Sequence, residues 1–280
     1  MAIITFWSNG KEQTGKTLSM AAISTHMAIE HNVKILMIST TAREETLYNC
    51  FFKKNKNKQT AGLFAPKNGN LAIDSGMSGL VKMARSNKVS PDMIKNYTTP
   101  IFKDTLEILF SGTTGSHTEL EEYYPEIIKE AGKFYDFVFV DLDANINEPL
   151  QTQILKNSDL IVANINQKLS SVDTFIEERQ KSDLLSSKKT IVLIGRYDKF
   201  SRYSAKNISR YIGIRNIPLT IPYNTLFYDS AEEAKVPDLF LSFAKNKNLD
   251  KDDRNYIFIE EVKRAKDTLQ YKLQELQMRV

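Results

Sequence analysis

The chain of 280 residues has few of the residues that build cross-linked or metal-bound domains. It contains one cysteine, Cys50, and three histidines. A single cysteine excludes a disulfide framework, and scattered histidines without cysteine pairs argue against a transition-metal site. No apolar run reaches the length that a membrane-spanning helix needs. The first residues carry neither a charged start nor a cleavage site, so we expect no signal peptide and a reducing, cytoplasmic location.

Neither positive nor negative charge is in large excess. The 38 lysines and arginines oppose 34 acidic residues, which leaves a formal net charge of +4. This balance permits contact with an anionic partner without predicting one. A hydrophobic content of 41% is enough for a sizeable core and excludes global disorder. The length fits one large α/β domain or two small ones.

A phosphate-binding loop is the clearest motif that is present. It follows an apolar run at residues 3–7, precedes a helical pattern, and consists of Gly10, Lys11, Glu12, Gln13, Thr14, Gly15, Lys16 and Thr17. These residues match G-x-x-x-x-G-K-[ST], whose backbone N–H groups face a polyphosphate at a helix N-terminus. The motif predicts that Lys16 contacts the β- and γ-phosphates and that the Thr17 hydroxyl binds Mg²⁺.

Apolar runs alternate with helical segments along most of the chain. Six predicted strands cover residues 3–7, 33–39, 106–110, 137–141, 160–165 and 190–195. The runs are mostly continuous rather than alternating, which is typical of strands covered on both faces. We therefore predict an α/β fold with a doubly wound, mostly parallel sheet. Its carboxyl edge would collect the phosphate loop, residues 39–43 and Asp141. Asp141 ends an apolar strand, where a carboxylate can bind Mg²⁺ through water; an ordinary strand-end aspartate is the alternative.

The domain organisation is expected to be simple. Residues 1–245 form the nucleotide-binding domain, with an irregular insertion at about 51–102 that contains a basic run at 53–58 and a helix at 78–86. Residues 246–280 form a C-terminal helix whose apolar positions follow spacings of three and four, interrupted by Lys266. Such a helix can dock on the chain's own core or pair as a coiled coil in a dimer. Its acidic residues disfavour a membrane-surface helix.

A family resemblance follows from Lys11, a second lysine inside the phosphate loop. Together with strand-like stretches at 135–141, 157–162 and 192–198 and with Ile221-Pro222-Tyr223, it resembles the deviant Walker A ATPases of the MinD/ParA group. The resemblance covers about residues 1–240 and looks most like the TadZ/CpaE-like pilus-assembly branch. It implies ATP and Mg²⁺ as cofactors. It also implies a homodimer that encloses two nucleotides, with Lys11 reaching the partner's ATP.

The resemblance also assigns roles to residues. Lys11, Lys16 and Asp141 would be catalytic, and Thr17 and Asp141 would hold the metal. The nucleotide would contact the whole loop from Gly10 to Thr17, and in addition the residues Leu18, Arg196, Pro222 and Tyr223.

Three departures from the family pattern change the expectation. Glu12 and Gln13 replace two glycines and crowd the face where the nucleotides of a dimer would meet. Thr41 stands where the family has the aspartate that orients the attacking water; a threonine is a poor base, so hydrolysis should be slow or absent. Asp143 could substitute, although a structural role is favoured. Gly195 replaces an adenine-contacting asparagine, so base selectivity is weak or rests on backbone groups near Pro222.

These features predict an ATP-dependent assembly or positioning factor for a pilus, secretion or conjugation machine, with weak ATPase activity at most. Its partners would be protein components of that machine, which would recruit it to the membrane or a cell pole without direct membrane contact. One alternative is a DNA-partition ATPase that uses the run at 53–58 and the basic residues Arg202, Lys206 and Arg210. The other is a nucleotide-binding scaffold without turnover.

Overall fold

The computed structural model describes residues 1–10, 12–41, 46–53, 76–86, 90–110, 121–245 and 251–278. Its centre is an eight-stranded sheet in the order β3-β4-β2-β5-β1-β6-β7-β8. The strands are β1 (Ala2–Trp7), β2 (Ile35–Ser39), β3 (Thr99–Phe102), β4 (Leu106–Leu109), β5 (Phe137–Asp141), β6 (Leu160–Ile165), β7 (Thr190–Tyr197) and β8 (Leu219–Pro222). All neighbouring pairs are parallel except β3 with β4. The fold is therefore α/β with a doubly wound, mostly parallel sheet, as the sequence predicts.

Helices cover both faces of the sheet. They are α1 (Lys16–Glu30), α2 (Thr46–Asn49), α3 (Gly76–Arg85), α4 (Tyr124–Ala131), α5 (Glu148–Asn157), α6 (Leu169–Lys181), α7 (Asp183–Ser186), α8 (Ala205–Ile212), α9 (Thr225–Glu232), α10 (Val236–Lys245) and α11 (Arg254–Gln277), with a 3₁₀ turn at Ile94–Tyr97. One apolar core lies under α1, α9, α10 and α11, and a second lies under α3 to α8 on the other face. Two cores explain why β1, β2, β4 and β6 are buried along their whole length.

The predicted elements agree with the observed ones within a few residues, with instructive exceptions. Sequence reasoning missed the two outer strands β3 and β8, which are only four residues long. The helical pattern that runs through residues 172–186 is divided into two helices, α6 and α7, because the Ser182 side chain accepts a hydrogen bond from Leu185 N–H and starts a new helix. The insertion contributes α3, the 3₁₀ turn and β3, whereas residues 54–58 of its basic run lie outside the described residues.

The C-terminal helix α11 docks on the chain's own core. The Asp253 side chain caps its N-terminus. Phe258, Val262, Leu269 and Leu273 are buried in the same core as α1 and β1. This arrangement corrects one interpretation of the heptad pattern, because the apolar face that could have paired with a second copy is already covered. Among the residues that the structure describes, no helix combines the length and apolar character needed to cross a bilayer.

Candidate functional site

The carboxyl edge of the sheet gathers the candidate residues. In the centre of the sheet the order is β5-β1-β6-β7-β8, so the segments that follow these strands lie side by side. Phe6 of β1 is opposite Asp141 of β5. On the other side of β1, Asn166 follows β6, and Arg196 and Pro222 lie at the ends of β7 and β8. A groove at this edge is where doubly wound sheets bind ligands.

The phosphate loop depends on glycine at two positions. Gly10 and Gly15 both have φ of 73°, in the left-handed region that favours glycine. A Cβ at Gly10 would lie 2.3 Å from the Cβ of Ala144, so the loop also needs glycine for close packing. Lys11, between them, lies outside the described residues.

Helix α1 begins at this loop without a side-chain cap. Its N-cap is Gly15, and its first turn contains no acidic residue. Five other helices, α5, α7, α8, α9 and α11, have a capping side chain at the same position. The first-turn N–H groups of α1 and its dipole therefore favour an anion that no side chain of the cap supplies.

Lys16 and Thr17 converge on Asp141. The Lys16 Nζ lies 3.0 Å from the Asp141 Oδ1 and also donates to the Leu142 carbonyl. The Thr17 hydroxyl donates to the Asp141 Oδ2 at 2.6 Å. The Asp141 residue is only 1% exposed, so its carboxylate is held by these two partners in a largely dry position. A hydroxyl beside a carboxylate offers the oxygen ligands that Mg²⁺ prefers.

Glu12 points away from this cluster, toward the segment that follows β6. Its carboxylate accepts hydrogen bonds from Asn166 Nδ2 at 2.7 Å and from the Ser170 hydroxyl at 2.8 Å. The Lys168 Nζ lies 3.9 Å away. The hydrogen bonds from Asn166 and Ser170, with the charge of Lys168, lower the pKa of Glu12. Glu12 therefore stays charged, and its negative charge is compensated within the chain.

Residues 39–41, the part of the segment at the end of β2 that the structure describes, contain hydroxyl groups and no carboxylate. Thr40 is fully buried, and its hydroxyl donates to the Asp141 carbonyl at 3.2 Å and accepts from Asp143 N–H at 2.8 Å. Thr41 N–H donates to the Ser39 hydroxyl at 3.3 Å. The Asp143 carboxylate accepts two bonds from Asn145, each at 3.0 Å. Its present partners give Asp143 a structural role in the turn.

A narrow cleft lies beside the phosphate loop. Its walls include Gly15, Leu18, Arg196, Pro222, Tyr223 and Tyr228. Gly195 permits the close approach of β7 to the loop, because a Cβ there would lie 2.1 Å from the Thr14 carbonyl oxygen. Arg196 takes a left-handed conformation with φ of 52°, and its Nη1 donates to Gln13 Oε1 at 3.0 Å. The four residues that the resemblance places at the nucleotide in addition to the loop, Leu18, Arg196, Pro222 and Tyr223, thus border one cleft.

Comparison with known proteins identifies the architecture. No protein-family model matches the sequence, and no curated protein matches it significantly. The septum site-determining protein MinD from Pyrococcus horikoshii OT3, complexed with Mg-ADP, is similar with a TM-score of 0.65 and 17% identity over 97% of this chain and 98% of that chain. A ParA family ATPase from Chlorobium tepidum TLS is similar with a TM-score of 0.61 and 15% identity, over 88% of this chain and 99% of that chain. A plasmid partition protein from Borrelia burgdorferi B31 bound to AMPPNP is similar with a TM-score of 0.55 and 17% identity, over 99% of this chain and 98% of that chain. The chain has the fold of the MinD/ParA ATPases.

The MinD/ParA fold explains the position of the site, but sequence reasoning missed several residues in it. Asn166, Lys168 and Ser170 hold Glu12, and Tyr228 borders the cleft. Asn166 directly follows β6 at the carboxyl edge, which is a signal that the sequence did contain. Tyr228 lies inside helix α9, and nothing in its local sequence marks it. The likeness to the TadZ/CpaE branch stays a prediction.

Proposed function

We propose that the chain binds ATP with Mg²⁺ at the start of α1. The supporting observation is the convergence of Lys16 and Thr17 on the buried Asp141, at a helix N-terminus that no side chain caps. The N–H groups, the dipole and one lysine favour a polyphosphate, and the hydroxyl–carboxylate pair favours a hard cation. These two preferences belong together in a magnesium–nucleotide complex.

Each group has a definite task in this proposal. Lys16 would neutralise charge on the terminal phosphates, and Thr17 and Asp141 would hold Mg²⁺, directly or through water. The bound Mg²⁺ would supply charge neutralisation between phosphate oxygens. Since Lys16 now pairs with Asp141, phosphate oxygens would compete with that carboxylate for its ammonium group. Leu18, Arg196, Pro222 and Tyr223 would border the nucleoside.

We infer a role in assembly or positioning rather than in rapid catalysis. The proteins of similar fold include one named for determining the septum site and one named for plasmid partition. ATP would promote a homodimer in which Lys11 reaches the partner's nucleotide, and the dimer would engage protein components of a pilus, secretion or conjugation machine. Such partners would bring it to the membrane or a cell pole.

Slow hydrolysis follows from the end of β2. Thr41 offers no base, and the Asp143 carboxylate is engaged by Asn145. The contacts of Glu12 with Asn166 and Ser170 support dimer formation, because they turn its charge aside from the cluster at Lys16. A weak ATPase that dimerises is consistent with both observations.

Phosphate release and light scattering test this role together. With MgATP we expect release below about one per minute, far under typical enzyme rates. We also expect a dimer that forms with MgATP, forms less with MgADP, and is lost in Lys11→Ala. Phosphate release near one per second would contradict the proposal of slow hydrolysis and indicate an ordinary ATPase. A monomer in every condition would contradict the dimer, and no release at all would favour a non-hydrolysing scaffold.

DNA partition is the second candidate because of one surface. Lys206 and Arg210 are exposed and lie one turn apart on α8, and Arg202 is exposed just before it. DNA binding by such a surface would weaken steeply as the salt concentration rises. Gel retardation at 50 and 200 mM salt, with Lys206→Ala/Arg210→Ala as the variant, decides between the candidates. Salt-sensitive retardation that the double variant loses would favour partition, and no retardation would favour the protein-partner role.

A further inference from the structure

Positive charge is concentrated on the segment that leaves β7 and on helix α8. Residues 196–210 contain five basic residues and one acidic residue, a formal charge of +4 that equals the net charge of the whole chain. The other residues are therefore neutral overall. The five cations are all exposed, and none of them pairs with a carboxylate of the part of the chain that the structure describes: Arg196, Lys199, Arg202, Lys206 and Arg210. This concentration of unpaired charge attracts an anionic partner.

An aromatic side chain stands among these cations. Phe200 is 82% exposed, and the Lys199 Nζ lies 5.2 Å from its ring centroid. The Arg202 carbonyl accepts from Asn207 Nδ2 at 2.9 Å, which fixes this segment against the first turn of α8. Aromatic side chains and arginine are enriched at protein interfaces, where a few such residues supply most of the binding energy. These neighbours form the β7–α8 surface, which consists of Lys199, Phe200, Arg202, Lys206 and Arg210.

The loop that carries Phe200 is held by Gln167, the second residue after β6. The Gln167 Nε2 donates to the carbonyls of Asp198 at 3.1 Å and Tyr203 at 2.9 Å, and its Oε1 accepts from Asp198 N–H at 2.7 Å. The Asp198 Oδ1 accepts from Phe200 N–H at 2.9 Å, so the one carboxylate of the segment is engaged by the backbone of the loop. A surface that is ordered before it binds loses less conformational entropy when a partner docks.

The segments that support this surface are also bonded to the phosphate loop. Arg196, at the end of β7, donates from its Nη1 to Gln13 Oε1 at 3.0 Å. Asn166, which precedes Gln167, donates to the Glu12 carboxylate at 2.7 Å. A partner on the β7–α8 surface would therefore contact a loop whose supporting segments also hold two side chains of the phosphate loop. This position suits a partner that is engaged in nucleotide-dependent assembly.

We propose that the β7–α8 surface docks an acidic segment of a partner protein, with an apolar side chain of that segment covering Phe200. The proposal rests on the proposed assembly role and names the chemistry of its protein partner. Carboxylates match the guanidinium groups of Arg202 and Arg210, which can bind them through two parallel hydrogen bonds. A DNA backbone would also satisfy the cations, but contacts to phosphate and sugar leave an exposed phenyl ring uncovered. The cations and Phe200 together therefore favour a protein.

Fluorescence anisotropy on the full chain tests the proposal, with a labelled peptide that has glutamates on one face of a helix and leucines on the other. We expect a dissociation constant on the order of 10 μM. Phe200→Ala and the double variant Arg202→Gln/Arg210→Gln should each weaken binding by at least about tenfold. Lys263→Gln and Tyr271→Ala, at exposed positions on α11, are the matched controls and should bind the peptide like the wild type.

Further probes decide what the surface recognises. A peptide with lysines in place of the glutamates, and one with serines in place of the leucines, should both bind at least about tenfold more weakly than the acidic peptide. Equal binding of the serine peptide would show attraction of charge alone and would overturn the inference, as would unchanged binding in Phe200→Ala or in the double variant. If labelled duplex or single-stranded DNA binds more tightly than the acidic peptide, the surface is a nucleic-acid site and the inference is wrong.

Calorimetry with MgATP on the same samples separates this inference from the proposal beneath it. If MgATP binds and the acidic peptide does not, the docking inference fails while nucleotide binding stands. If the peptide binds and MgATP does not, the docking surface stands and the proposed nucleotide function fails.

Discussion

Replacing Lys266 by methionine should destabilise the protein, although it makes the apolar face of α11 continuous. The Lys266 side chain is 3% exposed, and its Nζ bonds the Glu30 carboxylate at the end of α1 and lies 3.0 Å from Asp267 Oδ1. The His31 Nε2 is 3.2 Å away. Burial opposes the charged form, but the hydrogen bonds that Lys266 donates to the Glu30 and Asp267 carboxylates outweigh it and raise the pKa of Lys266. A buried ammonium thus joins the C-terminal helix to α1.

The expected loss of stability in Lys266→Met depends on how exposed its two carboxylate partners are. Removing one member of a fully buried ion pair costs about 3–5 kcal/mol. Here the Glu30 side chain is 32% exposed and that of Asp267 is 54% exposed, so water compensates part of the lost interaction. Methionine also fills most of the volume that the lysine leaves. We therefore expect a free energy of unfolding lower by about 2 kcal/mol.

Urea unfolding at pH 7.5 measures this loss, with Lys263→Met as the control. Lys263 is exposed on the same helix, so its substitution should change the free energy by less than about 0.5 kcal/mol. Adding Glu30→Gln to Lys266→Met should recover part of the loss, because it removes the carboxylate left without its partner. The reasoning is refuted if Lys266→Met is as stable as the wild type, since the pair would then contribute nothing beyond what a buried thioether provides.

Two further predictions concern the glycine beside the loop and a buried histidine. Gly195→Ala should lower the free energy of unfolding by about 1–3 kcal/mol, because the added methyl group would push the phosphate loop away from β7. It should also weaken MgATP binding in calorimetry. Gly213→Ala is the control for binding only: its φ of 76° makes alanine strained and costs stability, but its Cβ meets nothing within 4 Å, so MgATP binding should not change. Unchanged melting and binding in Gly195→Ala would contradict the packing. Burial lowers the pKa of His26, so its stabilising contribution is present above its unfolded pKa of about 6.5 and is lost as pH falls below it. The urea midpoint should therefore drop from pH 7 to 5.5, and less in His26→Gln; parallel curves would contradict this assignment.

The central strands were predictable because they bury both faces, which leaves continuous apolar runs. The outer strands were not: β3 contains Pro100 and β8 is four residues long, so neither differs from loop sequence. The loop glycines and Asp141 were identifiable because their chemistry is local to a strand end. The position of Lys266 was visible as a break in the heptads, but its partner lies 236 residues away. Nothing local in the sequence connects these two residues.

Glu12 shows the same contrast between a local sequence feature and a contact with distant residues. Its position in the loop predicted crowding, because a carboxylate replaces a glycine there. Its orientation depends on Asn166 and Ser170, which lie more than 150 residues later and reach the loop only through the pairing of β1 with β6. Where the charge points is thus a property of the topology, and sequence reasoning could not supply it.

Calorimetric titration of MgATP into the wild type and Lys16→Ala tests the central claim most directly. Lysine bonds to charged phosphate oxygens contribute about 1.5–3 kcal/mol each, so losing Lys16 should weaken binding by about 100-fold. Lys206→Ala, an exposed lysine on α8, is the control and should bind like the wild type. We predict saturable binding to the wild type and the control, with little or none to Lys16→Ala. Equal affinity for all three proteins, or no binding to the wild type, would contradict the assignment of this loop as a nucleotide site.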